Sequence, residues 1–220
     1  MKSFLLYGPP ASGKSTVAKK ISEKIGSVYV SIGQITRSEI AKKSEKGLLL
    51  KKYLDDVVEY PIELISSVVE DRLNELQTKE YNGFILDGFP KYEWEATHFL
   101  KMVKNLSLKI DGVVVIDVPL GEIIKRASGR RICQSCLKEY DMFVSNIVRC
   151  PECMRDLSTR EDDTVEVLER RYNDYSQSIK QTIKVLGNNC GKVIVVDGTG
   201  SQDDILSFFM NNIICGDTPK

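Results

Sequence analysis

Gly8-Pro9-Pro10-Ala11-Ser12-Gly13-Lys14-Ser15 fits the phosphate-cradling pattern G-x-x-x-x-G-K-[ST] at every fixed position. Gly8 and Gly13 let the backbone curl until successive N–H groups point inward at a polyphosphate. Lys14 reaches the β/γ-phosphates, and the Ser15 hydroxyl can ligate Mg²⁺. The flanking residues supply the context that this chemistry needs. Phe4-Leu5-Leu6-Tyr7 reads as a buried strand, and Val17, Ala18, Ile21 and Ile25 recur at helical spacing, so the loop opens a helix at its N-terminus.

Two further sets of residues could do chemistry. Cys133-x-x-Cys136 and Cys150-x-x-Cys153 are pairs separated by 13 residues. Each pair suits a tight turn that presents two sulfurs about 2.3 Å from one tetrahedral Zn²⁺. Four thiolates leave no open position, so the metal is expected to be structural, stapling a segment too small for a core of its own. Iron in the same cage, a redox C-x-x-C pair and free thiols are the alternatives. Cys190 and Cys215 lack a partner motif and read as ordinary thiols. Arginines flank the staple: Arg126, Arg130 and Arg131 before it, Arg160, Arg170 and Arg171 after it. A planar guanidinium suits bidentate phosphate contacts and the charge on a transferring phosphoryl group, although any one of these arginines alone reads as a solvated surface residue.

The elements that must position these groups follow from the hydrophobic pattern. Besides Phe4–Tyr7, four apolar runs read as buried strands: Val28-Tyr29-Val30, Phe84-Ile85-Leu86, Val113–Ile116 and Val193–Val196. Helical patterns separate them. The clearest spans Pro61 to Gln77, with Ile62, Ile65, Val69, Leu73 and Leu76 on one face. Alternation of this kind predicts a parallel sheet covered on both sides. Ile32–Tyr60 is polar and helical, and Ile132–Ser158 has little helical periodicity. Both read as insertions over the carboxyl edge of the sheet, where ligands bind in such folds. The last helix carries Ile205, Leu206, Phe208, Phe209, Met210, Ile213 and Ile214, leaving little polar face. Docking on the core or self-association would bury it.

Bulk composition narrows the class. The 220 residues allow one α/β domain with insertions or two small domains. Lys+Arg and Asp+Glu are both 31, and this balance argues against broad nucleic-acid or anionic-membrane binding. The chain enters its first strand at once, with no signal peptide and no apolar run near 18 residues, so a cytoplasmic or organelle-matrix location is expected. Six cysteines in such a compartment point to metal or thiols rather than disulfides.

Several blocks in order give a resemblance over essentially the whole chain. They are Gly8–Thr16, Ser31-Ile32-Gly33 with Arg37, Leu86-Asp87-Gly88-Phe89-Pro90, Gly129-Arg130-Arg131-Ile132-Cys133, Arg160-Glu161-Asp162-Asp163, Arg170-Arg171-Tyr172 and Val196-Asp197-Gly198-Thr199. With these blocks the sequence resembles the adenylate kinase family of nucleoside monophosphate kinases, in its zinc-bearing variant. The resemblance implies an α/β P-loop three-layer fold with a five-stranded parallel sheet. The core would comprise residues 1–31, 61–131 and 159–220, with a nucleoside monophosphate-binding insertion at 32–60 and a lid at 132–158.

It implies reversible phosphoryl transfer from Mg-ATP to a nucleoside monophosphate, where positioning and charge neutralisation matter more than covalent chemistry. By resemblance Gly8, Ala11, Ser12, Gly13, Lys14, Ser15 and Thr16 hold the donor phosphates, with Gly200 also on the donor side and Arg126 against the donor base. Arg130, Arg160 and Arg171 clamp the phosphates, Arg37 grips the acceptor phosphate and Asp87 orders the Mg²⁺ water shell. Ile32, Val58, Tyr60, Gly88, Lys91 and Glu95 fall on the acceptor side, with Arg160 and Arg171 reaching the acceptor phosphate too. Lid closure expels water, which otherwise competes as an acceptor.

The departures from the family cluster at the acceptor. Family members usually carry Thr at Ile32, Asp at Gln34, Gly near Val57, Arg at Lys91 and Gln at Glu95; many also carry Gly at Ser15. A carboxylate at 95 only accepts, whereas an amide also donates. Relaxed acceptor choice, extending from AMP to CMP, GMP or UMP, is one expectation. A shifted side chain that restores AMP selectivity is the other. The expected partners are ATP and a nucleoside monophosphate, with no nucleic acid and no membrane, in a monomer or a small homo-oligomer formed through the last helix. Rival readings are a zinc-ribbon nucleic-acid binder on a P-loop core, another P-loop small-molecule kinase, and a non-catalytic nucleotide switch.

Overall fold

The computed structural model describes residues 2–55, 60–77, 81–136, 138–144, 147–160 and 162–214. Its strands are β1 (Phe4–Tyr7), β2 (Val28–Ser31), β3 (Phe84–Asp87), β4 (Gly112–Asp117), β5 (Arg130–Cys133), β6 (Glu139–Asp141), β7 (Leu157–Ser158) and β8 (Lys192–Asp197). The helices are α1 (Lys14–Ile25), α2 (Ile32–Lys42), α3 (Glu45–Asp55), α4 (Ile62–Gln77), α5 (Glu93–Asn105), α6 (Leu120–Gly129), α7 (Val165–Gly187) and α8 (Gln202–Phe209), the last running into a π-turn at Met210–Ile214. Five strands form a parallel sheet in the order β2-β3-β1-β4-β8. The expected five-stranded α/β fold is therefore present.

Strand alternation splits the core into two layers. Leu5 and Tyr7 face one side, with Val69 and Leu73 of α4, Phe99 of α5 and Ile179 and Leu186 of α7. Phe4 and Leu6 face the other, with Val17 and Ile21 of α1, Ile123 of α6 and Ile205 and Phe209 of α8. Every residue of β1 is buried, as a central parallel strand covered on both faces must be. β8 departs from the buried strand that its apolar run predicts. Val193 is 38% and Val195 62% exposed. The strand ends the sheet, and only its Val196 flank packs against the second layer.

The run from Ile32 to Tyr60 forms α2 and α3. Ser31 caps α2, its hydroxyl accepting from Gln34 N at 3.4 Å. The segment from Ile132 contributes to a second, three-stranded antiparallel sheet in the order β6-β5-β7. Strands of two to four residues bury too little apolar surface to hold themselves together. Among the described residues no helix is long and apolar enough to cross a membrane.

The apolar last helix docks on the core. Ile205, Phe209 and Ile213 are buried, and the Phe209 ring meets Phe4 edge-to-face with centroids 5.1 Å apart. Phe208 points the other way and stays 39% exposed. Replacing Phe209 by Ala should therefore cost about 3–5 kcal/mol, through lost burial and the cavity left behind. Phe208→Ala should cost less than about 1 kcal/mol. Urea unfolding of the two variants checks the contrast.

Candidate active site

The glycine-rich loop joins β1 to α1 at the carboxyl edge of the sheet. Close approach dictates its first glycine: a Cβ on Gly8 would lie 2.7 Å from Ser12 Oγ and 3.0 Å from the Ile116 carbonyl. Gly13 takes φ +81° as it caps α1, a conformation that suits a residue without Cβ. Lys14 leads the helix and donates to the Pro9 carbonyl at 3.2 Å. Burial lowers its pKa; nearby Asp87 opposes the shift, while Arg171, Arg130 and Lys91 add to it. The same interactions place these four charges around the loop's lysine.

Asp87 ends β3 and is buried. Its Oδ2 accepts the Ser15 and Tyr29 hydroxyls, each at 2.8 Å, while Oδ1 is buried without a hydrogen-bond partner. Arg126 braces the loop from α6. Its guanidinium donates to the Ser12 carbonyl at 3.0 Å and the Gly198 carbonyl at 2.8 Å, tying the loop to the turn that holds Gly200.

The other arginines sort into two groups. Arg130 pairs bidentately with Asp163, Nε lying 2.8 Å from Oδ2 and Nη2 meeting Oδ1. Arg160 does the same with Asp162, at 2.9 and 2.8 Å, and Arg171 reaches Asp162 Oδ2 at 2.6 Å. Glu139, on β6, accepts from Arg160 Nη1 at 3.1 Å and lies 3.8 Å from Arg130 Nη1. Arg131 instead turns to the backbone carbonyls of Ser128 and Arg130, and Arg170 lies exposed on α7. A cavity of about 210 Å³ opens between the loop and α7, bordered by Gly8, Lys14, Gly88, Lys91 and Arg171. A larger one, about 470 Å³, lies behind α2. Its cations Lys42, Lys46 and Arg72 are paired with Glu39, Asp71 and Glu75, so it offers a phosphate little net attraction.

The four sulfurs of Cys133, Cys136, Cys150 and Cys153 lie within 4.8 Å of one another, with Cys133–Cys153 at 3.4 Å and Cys136–Cys150 at 3.5 Å. A tetrahedral cage with metal–sulfur bonds of about 2.3 Å has edges of about 3.8 Å, so the spacing fits. Burial pushes the Cys150 thiol up, but the Tyr140 hydroxyl at 3.1 Å and the N–H groups of Cys153 and Glu152 outweigh it and pull the thiol down to about 6. N–H groups, first that of Cys136, lower the Cys133 thiol too.

The family model for adenylate kinase matches residues 6–190. The adenylate kinase of Petrotoga mobilis is 34% identical over 211 residues, 94% of this chain and 95% of its own. That of Acetivibrio thermocellus is 36% identical over 213 residues, covering 94% and 96%. That of Archaeoglobus fulgidus is 35% identical over 200 residues, covering 90% and 91%. The chain belongs to the adenylate kinase family.

In this adenylate kinase-family chain, the residues expected at the acceptor are built differently from the loop. Arg37 folds over Gly33, its Nη1 3.3 Å from where a Cβ would stand, and its Nε is buried without a hydrogen-bond partner. Burial lowers its pKa, and Arg160 lowers it further, while Glu139 and Asp162 oppose. Ile32 is buried beside Gly88, and Tyr60 packs against the core. Glu95 is buried at the first turn of α5, where Oε2 accepts the N–H groups of Lys91 and Tyr92. Its carboxylate is thus engaged as a helix cap. The Lys91 carbonyl accepts the buried Thr182 hydroxyl at 2.8 Å, which fixes the turn that carries Lys91. Val57, Val58, Glu161 and Cys215 lie outside the described residues.

Motif reading missed the acids among the cations. Asp162 and Asp163 stand in a block that was read for its arginine. Glu139 and Tyr29 carry no motif, because only folding brings them to Arg160 and Asp87. One residue of the loop itself is strained: Ala11 adopts φ +56°, where Cβ is crowded against the backbone. Ala11→Gly should raise stability by about 0.5–1 kcal/mol, the relief exceeding the entropy that a glycine adds to the unfolded chain. Thermal unfolding checks it.

Proposed function

We propose that this family member transfers the γ-phosphoryl group of Mg-ATP reversibly to a nucleoside monophosphate. AMP is favoured, giving two ADP, with acceptor choice relaxed toward CMP, GMP or UMP. The observation that carries the reading is the lining of one cavity at the loop mouth by Lys14, Lys91 and Arg171, with Arg171 joined to Arg160 through Asp162. Such a set has little use in a passive nucleotide binder. It suits a reaction whose catalysis is positioning plus neutralisation of phosphoryl charge.

In this reading Gly8 and the backbone from Ala11 to Thr16 cradle the donor phosphates, and Lys14 contacts the oxygens that gain charge. The burial that lowers its pKa has already stripped much of its water, so little remains to be removed when phosphate arrives. Arg126 lies against the donor base near Gly200. Arg130, Arg160 and Arg171 hold the group in transfer, and Arg37 the acceptor phosphate, its orphan Nε being a donor prepared for an anion. The oxygens of Asp87 and Ser15 beside the loop fit Mg²⁺. Asp87 offers a buried oxygen without a partner, and Ser15, its proton given to Asp87, presents lone pairs. When bound, Mg²⁺ neutralises charge on the donor phosphates. Asp87, held by Ser15 and Tyr29, orients the water around it.

Relaxed acceptor choice is supported by Glu95. Its carboxylate serves α5 and has no N–H to offer a ring nitrogen. Lys91 gives a point charge where a bidentate arginine is usual. The division into core (1–31, 61–131, 159–220), acceptor insertion (32–60) and lid (132–158) belongs to the same reading. So do a structural Zn²⁺ on the four cysteines, a cytoplasmic location, and a monomer or small homo-oligomer.

A coupled assay with AMP, CMP, GMP and UMP tests the activity. AMP should be fastest, with at least one other acceptor within about 100-fold. A preference for AMP above that, on the order of 2.7 kcal/mol, overturns relaxed choice. In the same assay Lys14→Ala should lose at least about 10³-fold in kcat/KM, and near-native transfer would refute the site. Metal analysis should find close to one zinc per chain, and chelation should lower the melting temperature. A ratio near zero removes the staple.

A further inference from the structure

Glu139 is out of place in a site that receives phosphates. Its carboxylate stands between two arginines assigned above to the transferring group. The pairing pattern shows which donors it takes. Arg130 and Arg160 each spend their Nε–Nη2 edge on a bidentate partner, Asp163 or Asp162. Each guanidinium keeps its Nη1 group and one outer Nη2 N–H. Both Nη1 groups lie near Glu139, at 3.8 Å from Arg130 and 3.1 Å from Arg160. One carboxylate, hydrogen-bonded to Arg160 and within ion-pair distance of Arg130, places negative acceptor oxygens between two guanidinium groups as a phosphoryl group would.

The three acids differ in how easily they let go. The Asp163 side chain is only 5% exposed and its pairing is two-pronged, so separating it from Arg130 would strand a buried charge. Asp162 holds Arg160 by two contacts and Arg171 by a third. Glu139 makes single end-on contacts, is 38% exposed, and comes from the small β6–β5–β7 sheet, where it pairs with Ile132. Arg37, on the acceptor side, also lies in its field. Glu139 is thus the one acid of the three that an incoming anion can displace cheaply.

We propose that Glu139 is an internal phosphate surrogate: its carboxylate holds the Nη1 ends of Arg130 and Arg160 in the empty enzyme and gives them up when phosphoryl oxygens arrive. This rests on the reading of those arginines as phosphate holders. Two effects follow. The ligand-free enzyme is spared the repulsion of two neighbouring guanidinium groups. Binding becomes an exchange of one anion for another, so nucleotide binds less tightly than the cation count implies and product leaves faster. Glu139 is a positioning residue in this scheme, with no contact to the reacting atoms.

Glu139→Gln keeps the shape and removes the charge. Removing one negative charge beside a polyanion should tighten binding of inorganic tripolyphosphate and of Mg-ATP about 5–10-fold in titration calorimetry. KM for ATP should fall while kcat does not rise, and the gain should shrink with added salt. The ligand-free melting temperature should drop and recover with tripolyphosphate. Glu139→Thr, a second uncharged variant, should behave alike, whereas Glu139→Asp should bind within about twofold of wild type. Native or weaker tripolyphosphate affinity in both uncharged variants overturns the proposal, because a merely structural role can only weaken binding. Equal tightening in Glu139→Asp overturns it too, since charge would not be the cause. Lys14→Ala separates the two levels. If it binds tripolyphosphate as tightly as wild type, the reading of the site fails; if it binds weakly while Glu139→Gln is not tightened, only the surrogate fails.

Discussion

Like charges crowded into one small volume are the condition that the rest of this structure answers. Lys14, Arg130 and Arg171 lie within each other's influence, as do Arg37 and Arg160. Two unit charges some 6 Å apart near a protein surface repel by roughly 3 kcal/mol, and a folded state has only about 5–15 kcal/mol in hand. Acids accompany most of these cations. Asp87 sits beside Lys14, Asp163 on Arg130, and Asp162 on Arg160 and Arg171, with Glu139 spanning two of them. These acids are what make the basic set tolerable in the folded chain.

The parallel sheet supplies the frame for that balance. Its carboxyl edge places the loop after β1 beside the end of β3, so Ser15 and Asp87, 72 positions apart, come within a hydrogen bond. Tyr29, at the edge of the sheet, closes on the same carboxylate oxygen. Rigid and yielding parts are set by the form of the contact. Bidentate pairs fix the arginines that lead into and out of the second sheet, while single contacts tie that sheet to them.

Two peripheral parts solve the problem of a small apolar surface differently. The last helix has enough aromatic and aliphatic bulk to dock through Ile205, Phe209 and Ile213. The β6–β5–β7 sheet lacks it and leaves Phe143, Val144 and Val148 in solvent. Four sulfurs converge beside it, and the Tyr140 hydroxyl, 3.1 Å from Cys150 Sγ, helps hold that one thiol low.

Local rules suffice for much of this chain. The five strands, the helix after the loop and the cysteine cluster are all written in residue type and spacing, because a glycine turn or two sulfurs presented in a turn involve only near neighbours. Exposure of Val193 and Val195 was not legible, since an apolar run does not say which strand ends a sheet. The part played by Glu95 was not legible, since its use as the cap of α5 depends on where Lys91 and Tyr92 turn. The sequence by itself determined which chemistry is available: a phosphate loop, a set of arginines and four thiolates. Only the tertiary structure decided which charges meet. The partners of those arginines and of Asp87 include Glu139 and Tyr29, which are distant along the chain and carry no motif, and an electrostatic balance is set by distance in space.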